Sequence, residues 1–279
     1  MIEFYKNGLY ADYTQIEKLE KEFSEYTGFK YGIAVDSCTN AIKLCLEYEK
    51  PKKVSIPTMT FVSVANEILH CGAELELLDK CYVNRAYQLE GTFIYDSAHA
   101  VDERMGINRR PADKFCYSFY PTKLVPSYQG GMICTNDKKF ATWARLARQM
   151  GRTGYGAHYD VKMVGWKCNM TPIQALTARG SLIKLRENPG KKHLWIETVN
   201  KREKFIKRLD AAGIGYSIHF EPIHKKTAYK HYDKGQFYYT DWLSRHTISL
   251  PHGPHIAESG FSVAYVKKML KEWKDQWNR

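Results

Sequence analysis

Phe93-Ile94-Tyr95-Asp96-Ser97-Ala98-His99 is an apolar run that stops at an acid. Further along, a second run ends in Ser118-Phe119-Tyr120-Pro121-Thr122-Lys123 and is followed by Gly130-Gly131. Taken singly, a strand-ending aspartate or a loop lysine is ordinary. Together they make the pair that a pyridoxal phosphate (PLP) site needs. A lysine forms a Schiff base with the cofactor aldehyde, and a carboxylate keeps the pyridine nitrogen protonated so that the ring can take up electrons.

Working outward, short apolar runs read as strands at Tyr31 to Val35, Val54 to Ile56, Leu75 to Leu78, Phe93 to Tyr95, Phe115 to Ser118 and Met132 to Cys134. Helical spacing lies between and around them: Ile16, Leu19 and Phe23 in one segment, Ala41 to Leu46 in another, then Ser63 to His70, Phe140 to Gln149 and Pro172 to Leu185. Such alternation predicts an α/β domain with a mostly parallel central sheet flanked by helices. Ligands in such sheets sit beyond the carboxyl ends of the strands. Asp96, the turn at Ser37 and the loop holding Lys123 all fall at such ends. A further helix is expected from Leu194 to Ala212. The last element, Val263 to Trp277, carries a stripe of Val263, Val266, Leu270, Trp273 and Trp277 suited to core packing. Gly151 to Gly156 reads as a glycine-rich loop.

Four more stretches, in order, resemble the DegT/DnrJ-type sugar aminotransferases, a branch of the fold type I PLP enzymes. Ala34-Val35-Asp36-Ser37-Cys38-Thr39-Asn40-Ala41 is similar to the family's Ser-Gly-Thr phosphate turn, with Cys38 where glycine is usual. Ile56-Pro57-Thr58-Met59-Thr60-Phe61 is similar to its Pro-x-x-Thr-Phe segment, Gly165 to Thr171 to its Gly-x-Asn region, and Ile218 to His224 to its His-Tyr-x-Pro-x-His stretch. The resemblance implies that Lys123 is the Schiff-base lysine and moves a proton, that Asp96 pairs with the pyridine nitrogen, and that His99 flanks the ring. Ser37, Cys38, Thr39 and Ser118 are then expected at the phosphate, Phe61 stacked on the ring, and Asn169 reaching the phosphate from a neighbouring subunit of a homodimer with shared active sites. His219, His224 and Lys167 are expected on the substrate side. The implied division is a large PLP-binding domain over 1–195 and a smaller C-terminal α+β domain over 196–279.

The implied activity is transfer of an amino group from glutamate to a nucleotide-linked keto-sugar. The chain is short for the resemblance. The family has a further strand-helix unit before the Asp96 strand, where here only Asp79 to Thr92 intervenes. One minimal crossover of about a dozen residues fits there. This pruning leaves open a larger anionic substrate, such as a modified nucleic-acid base, or a non-catalytic binding protein on the same scaffold. Retention of both Asp96 and Lys123 favours the enzyme.

The 279 residues suffice for a large core, and the net charge of +12 favours anionic partners. No nucleic-acid-binding motif accompanies that charge. The seven cysteines are scattered, with no zinc-ligand spacing, and no apolar run is long enough to span a bilayer. The chain lacks a signal-peptide layout, so a cytoplasmic protein with reduced cysteines is expected, with no metal and no membrane partner.

Overall fold

A computed structural model of the chain describes residues 13–153, 158–188, 192–251 and 262–277. The first stretch of elements is α1 (Thr14–Thr27), β1 (Tyr31–Val35), α2 (Cys38–Glu49), β2 (Lys53–Met59), α3 (Val62–His70), β3 (Glu74–Cys81), β4 (Tyr87–Gln88), β5 (Ile94–Asp96), β6 (Lys114–Ser118) and β7 (Gly131–Thr135). There follow α4 (Lys138–Ala147), β8 (Arg152–Thr153), β9 (Asp160–Val161), α5 (Pro172–Glu187), β10 (Trp195–Thr198), α6 (Arg202–Ala211), α7 (Tyr238–His246), β11 (Thr247–Leu250) and α8 (Val263–Trp277). Two short 3-10 segments, Ile223–Lys225 and Thr227–Tyr232, precede α7. Of the Gly151 to Gly156 loop, residues 154–156 lie outside the described set.

The chain divides into two compact units. One comprises Met1–Ser55, Ser63–Leu75 and Arg85–His193; the other comprises Ile56–Val62, Glu76–Asn84 and Leu194–Arg279. The second unit thus takes two segments from early in the chain as well as its C-terminal part.

The first unit is built on a five-stranded sheet in the order β1-β7-β6-β5-β4. The strand assignments follow the apolar runs, but the sheet is not mostly parallel. Only β5 and β6 pair in parallel; β1–β7, β7–β6 and β5–β4 are antiparallel. The reason is insertion: β7 lies between β1 and β6, so those two run the same way without touching. Thus β1, β5 and β6 share one direction, and their carboxyl ends share one end of the sheet. Alternate residues face opposite sides. Phe115 and Tyr117 enter a core with Leu19 and Phe23 of α1 and Ala178 and Leu182 of α5. Cys116 points the other way and meets Cys45 of α2, sulfur to sulfur, at 3.7 Å. Helices therefore cover both faces.

Asp79 to Thr92 does not form a crossover. β3 runs on to Cys81, and after a turn β4 returns antiparallel to β5, with Tyr87 opposite Asp96 and Gln88 opposite Tyr95. A hairpin needs far fewer residues than a crossover, and part of the segment is already taken up by β3, which leaves a short turn before β4. β2 and β3 form a separate two-stranded sheet.

A buried ion pair pins α1 to β1. Glu20, 6% exposed, accepts from Arg145 at 3.1 Å, from Arg148, and from the Ala34 backbone N–H at 2.9 Å. The same arginines reach back to the carbonyls of Gly32 and Ala34.

In the second unit, Leu194 to Ala212 is not one helix. Trp195–Thr198 pairs antiparallel with β11, and α6 begins at Arg202. The aromatic and β-branched residues Trp195, Ile196, Thr198 and Val199 favour a strand, a local signal that the longer helical spacing obscures. Phe205, Leu209, Ile248, Val266, Leu270 and Trp273 form this unit's core. The stripe on α8 packs as expected at Val266, Leu270 and Trp273, whereas Val263 is exposed. Asp79 caps α7, accepting from the N–H groups of Tyr239 (2.9 Å) and Thr240 (2.8 Å) and from the Thr240 hydroxyl (2.7 Å). Among the described residues no helix is long and apolar enough to cross a membrane.

Candidate active site

At the shared carboxyl end of β1, β5 and β6, three chain reversals meet. β1 ends at Val35, and Ser37 then caps α2, its hydroxyl accepting from the Asn40 N–H at 3.1 Å. Gly131 stands in register with both Val35 and Ser118. A Cβ on Gly131 would lie 2.6 Å from the Ser37 carbonyl carbon and 2.7 Å from the Cys38 nitrogen. Gly130, at φ 147°, bridges Ser37 directly. The glycine pair therefore lets β7 press against the Ser37 turn with no side chain between them. Cys38 is the first residue of α2 and has no positive φ, so its position does not require glycine. The start of a helix leaves backbone N–H groups without intrahelical partners and carries the positive end of the dipole. That is the cradle a phosphate needs.

Asp96 ends β5 and is 6% exposed. One carboxylate oxygen accepts from the Ala98 N–H at 2.9 Å, the other from the Tyr87 hydroxyl at 3.1 Å. Burial raises its pKa above the ordinary aspartate value; the two donors and nearby Lys123 oppose that rise. Lys123, in the loop after β6, is pulled the other way. Burial lowers its pKa, against the opposing influence of Asp96 and Cys38. Desolvation thus weakens both charges while each supports the other. The Cys38 thiol feels the same enclosure, which drives its pKa well up, with Asp96 and Lys123 acting on it in opposite senses.

His193 was not legible as a site residue. It is 6% exposed, its Nε2 lies 3.4 Å from Lys123 Nζ, and its ring meets that of His99 edge-on at 4.6 Å. No periodicity or motif marks it in the sequence. Tyr87 was missed for a different reason: it lies in the segment read as a crossover. Asp36 is the third addition. It accepts from Asn40 at 2.7 Å and from the Ser37 hydroxyl at 3.2 Å. With that hydroxyl engaged, the turn offers an anion chiefly its backbone N–H groups.

The remaining expected residues fall as follows. Ser118 is buried, in register with Gly131, and its hydroxyl accepts from the Tyr120 N–H at 3.4 Å. Asn169 is half-buried and its backbone bridges Val35. Lys167 is exposed, with a backbone bridge to Gln149. Phe61, His219 and His224 belong to the second unit. Phe61 is 57% exposed and tilted against Phe220. His219 shares a 2.9 Å hydrogen bond with Ser249. His224 does not suit direct substrate contact. It is 1% exposed, its Nδ1 bonds Thr58 at 2.8 Å, its Nε2 bonds Asp241 at 3.1 Å, and its ring stacks on Phe237. Both ring nitrogens are committed, so it braces this segment.

The first-unit set fits PLP on its own chemistry: a helix N-terminus for the phosphate, an enclosed carboxylate for a protonated ring nitrogen, and a desolvated amine for the aldehyde. Comparison with known proteins points the same way. The model of the DegT/DnrJ/EryC1/StrS aminotransferase family matches residues 1–81, 83–199 and 193–270. The spore coat polysaccharide biosynthesis protein SpsC of Bacillus subtilis is 24% identical over 351 positions, covering 92% of this chain and 89% of SpsC. That alignment is longer than the 279 residues here, so the relative carries segments this chain lacks. GDP-perosamine synthase of Caulobacter vibrioides is 25% identical, covering 77% of this chain and 79% of its own. A Streptococcus pneumoniae chain, put forward as a sugar aminotransferase and solved in its PLP form, superposes with a TM-score of 0.77 at 20% identity, covering 94% of this chain and 90% of its own. With the family match running through almost the whole chain, the protein belongs to the DegT/DnrJ/EryC1/StrS family of PLP-dependent aminotransferases, in a shortened form.

Proposed function

We propose that the protein moves an amino group from glutamate to a keto-sugar carried on a nucleotide. The observation that carries this reading is the position of buried Asp96 near Lys123 and the N-terminus of α2, close enough for their charges to act on one another. The family supplies the reaction class. The relationship to GDP-perosamine synthase, named for a nucleotide-linked amino sugar, supports the acceptor class.

Bound PLP supplies an electron-accepting ring for the pair left on carbon when a proton departs. The protein does the rest. The N–H groups of Cys38 and Thr39, with Ser118, hold the phosphate. Asp96 holds the proton on the ring nitrogen, and His99 borders the ring. Lys123, with its pKa lowered by desolvation, is a free amine at a lower pH than an ordinary lysine and can take a proton from carbon and return it. His193, its Nε2 3.4 Å from the Lys123 Nζ, limits where the amine points. Lys167, exposed on the first unit, meets the anionic part of the nucleotide sugar. The active unit is a homodimer in which Asn169 of one chain completes the phosphate site of the other.

The test is to incubate the holoenzyme with glutamate and a panel of nucleotide-linked keto-sugars. We expect 2-oxoglutarate in step with an amino sugar for at least one acceptor. A PLP-loaded enzyme that releases no 2-oxoglutarate from glutamate would contradict the donor assignment. Release without any aminated sugar would contradict the acceptor class.

A further inference from the structure

We propose that Tyr87 is a positioning residue for Asp96, supplied by the β4–β5 hairpin that follows the break in the family match. The proposal rests on the reading of Asp96 as the partner of the PLP ring nitrogen. The family match breaks between residues 81 and 83, at the turn just before β4. After that turn the chain folds back, and the antiparallel register sets Tyr87 opposite Asp96. Directly opposed residues on one face of such a pair are close neighbours. Here the tyrosine hydroxyl reaches one carboxylate oxygen at 3.1 Å, while the Ala98 N–H takes the other at 2.9 Å. Each oxygen thus has one internal donor, which fixes the plane of the carboxylate and leaves lone pairs for a third donor from the ring.

The hairpin is braced so that this register holds. Leu89 N–H donates to the Ile94 carbonyl, and the Thr92 hydroxyl donates to the Leu89 carbonyl and accepts from Ile94 N–H. Gln88 accepts from the Tyr95 hydroxyl at 3.2 Å, and the Tyr95 ring stacks on Phe115 at 4.3 Å. A slip of one residue would turn Tyr87 to the other face.

The need for such a donor is electrostatic. Enclosure works against the ionised acid, which must carry its charge to hold a protonated ring nitrogen. The titratable groups around it are Tyr87 from β4, Lys123 from the loop after β6, Cys38 at the start of α2, and Cys116 of β6. Of these, Tyr87 and Lys123 favour the carboxylate. Lys123 is to be engaged with the cofactor, whereas Tyr87 is the donor that stays in place through turnover.

The experiment is a carbon-13 carboxyl NMR titration of Asp96 in apoprotein, assigned with Asp96→Asn, comparing wild type with Tyr87→Phe. PLP affinity is measured alongside. Loss of the hydroxyl should move the Asp96 midpoint to higher pH and weaken PLP binding about tenfold, as expected for one hydrogen bond to a charged group. In an Asp96→Asn background, Tyr87→Phe should weaken PLP binding no further. Incorporation of 3-fluorotyrosine at position 87 keeps the packing and strengthens the donor, so it should move the midpoint down. An unmoved midpoint in both variants overturns the assignment of Tyr87. A wild type that binds no PLP is a separate failure and removes the reading on which the assignment rests.

Discussion

Lys123 and Asp96 are each held away from their ordinary protonation behaviour by enclosure, and that has measurable consequences. Burial lowers the Lys123 pKa, while Asp96 and Cys38 limit the fall. Trapping of a small aldehyde at Lys123 with borohydride should therefore show a midpoint below that of an ordinary lysine, and lower still in Asp96→Asn. A midpoint at or above the ordinary value would contradict the site's electrostatics. Asp96 itself has a raised pKa when folded, so folding favours its protonated form. Its contribution to stability is greatest at low pH and is lost as pH rises from the ordinary aspartate value through the raised one. Asparagine does not titrate, so apo Asp96→Asn should gain stability relative to wild type across that window, read by urea unfolding at several pH values. Sequence reading picks out both residues because their types and strand-end positions suit the chemistry, and the structure encloses both. It does not pick out His193 and Tyr87. They reach the site through a tertiary contact and a hairpin register, neither of which leaves a local pattern.

Elements follow their apolar periodicity closely, and the departures have local causes. β1, α2, β5, β6 and β7 lie where alternating runs place them. Two misreadings share one origin, a longer pattern overriding a shorter signal. Asp79 to Thr92 was assigned the connection that a parallel sheet requires, and Leu194 to Ala212 the helix that its later residues do form. The α1–β1 junction shows what spacing cannot convey: Glu20 falls on the buried stripe with Ile16, Leu19 and Phe23, and only the structure shows that its charge is enclosed with Arg148. Removing one member of a buried pair strands the other. Glu20→Gln should cost about 3–5 kcal/mol of unfolding free energy, measured by denaturant titration. A loss well under 1 kcal/mol would mean that the pair is solvated. In the second unit, Asp79→Ala should cost about 1 kcal/mol through loss of the α7 cap, with proteolysis beginning near Tyr238.

On the scale of the whole molecule, the three strands that carry the candidate site run the same way although most neighbouring pairs in the sheet do not. Strand-end reasoning depends on direction, not on adjacency, so it leads to the shared end of β1, β5 and β6 even though it misjudged the ladders. The second unit's use of residues 56–62 and 76–84 was beyond any reading by chain position, because those segments pass through strands that serve both units. The proposed dimer has its own test. Mixing inactive Lys123→Ala with Asn169→Ala should restore partial activity if Asn169 acts across the interface, since one site in a mixed dimer would be intact. No recovery would confine Asn169 to its own chain. The central claim is capture of PLP by Lys123. PLP is added to the purified protein, the visible spectrum is followed, and the product is reduced with borohydride and mapped by peptide mass. The account predicts a protein-bound visible band, a label on Lys123, loss of the band in Lys123→Ala, and bleaching by glutamate in wild type. A label on another lysine, or no bound band at all, would contradict it.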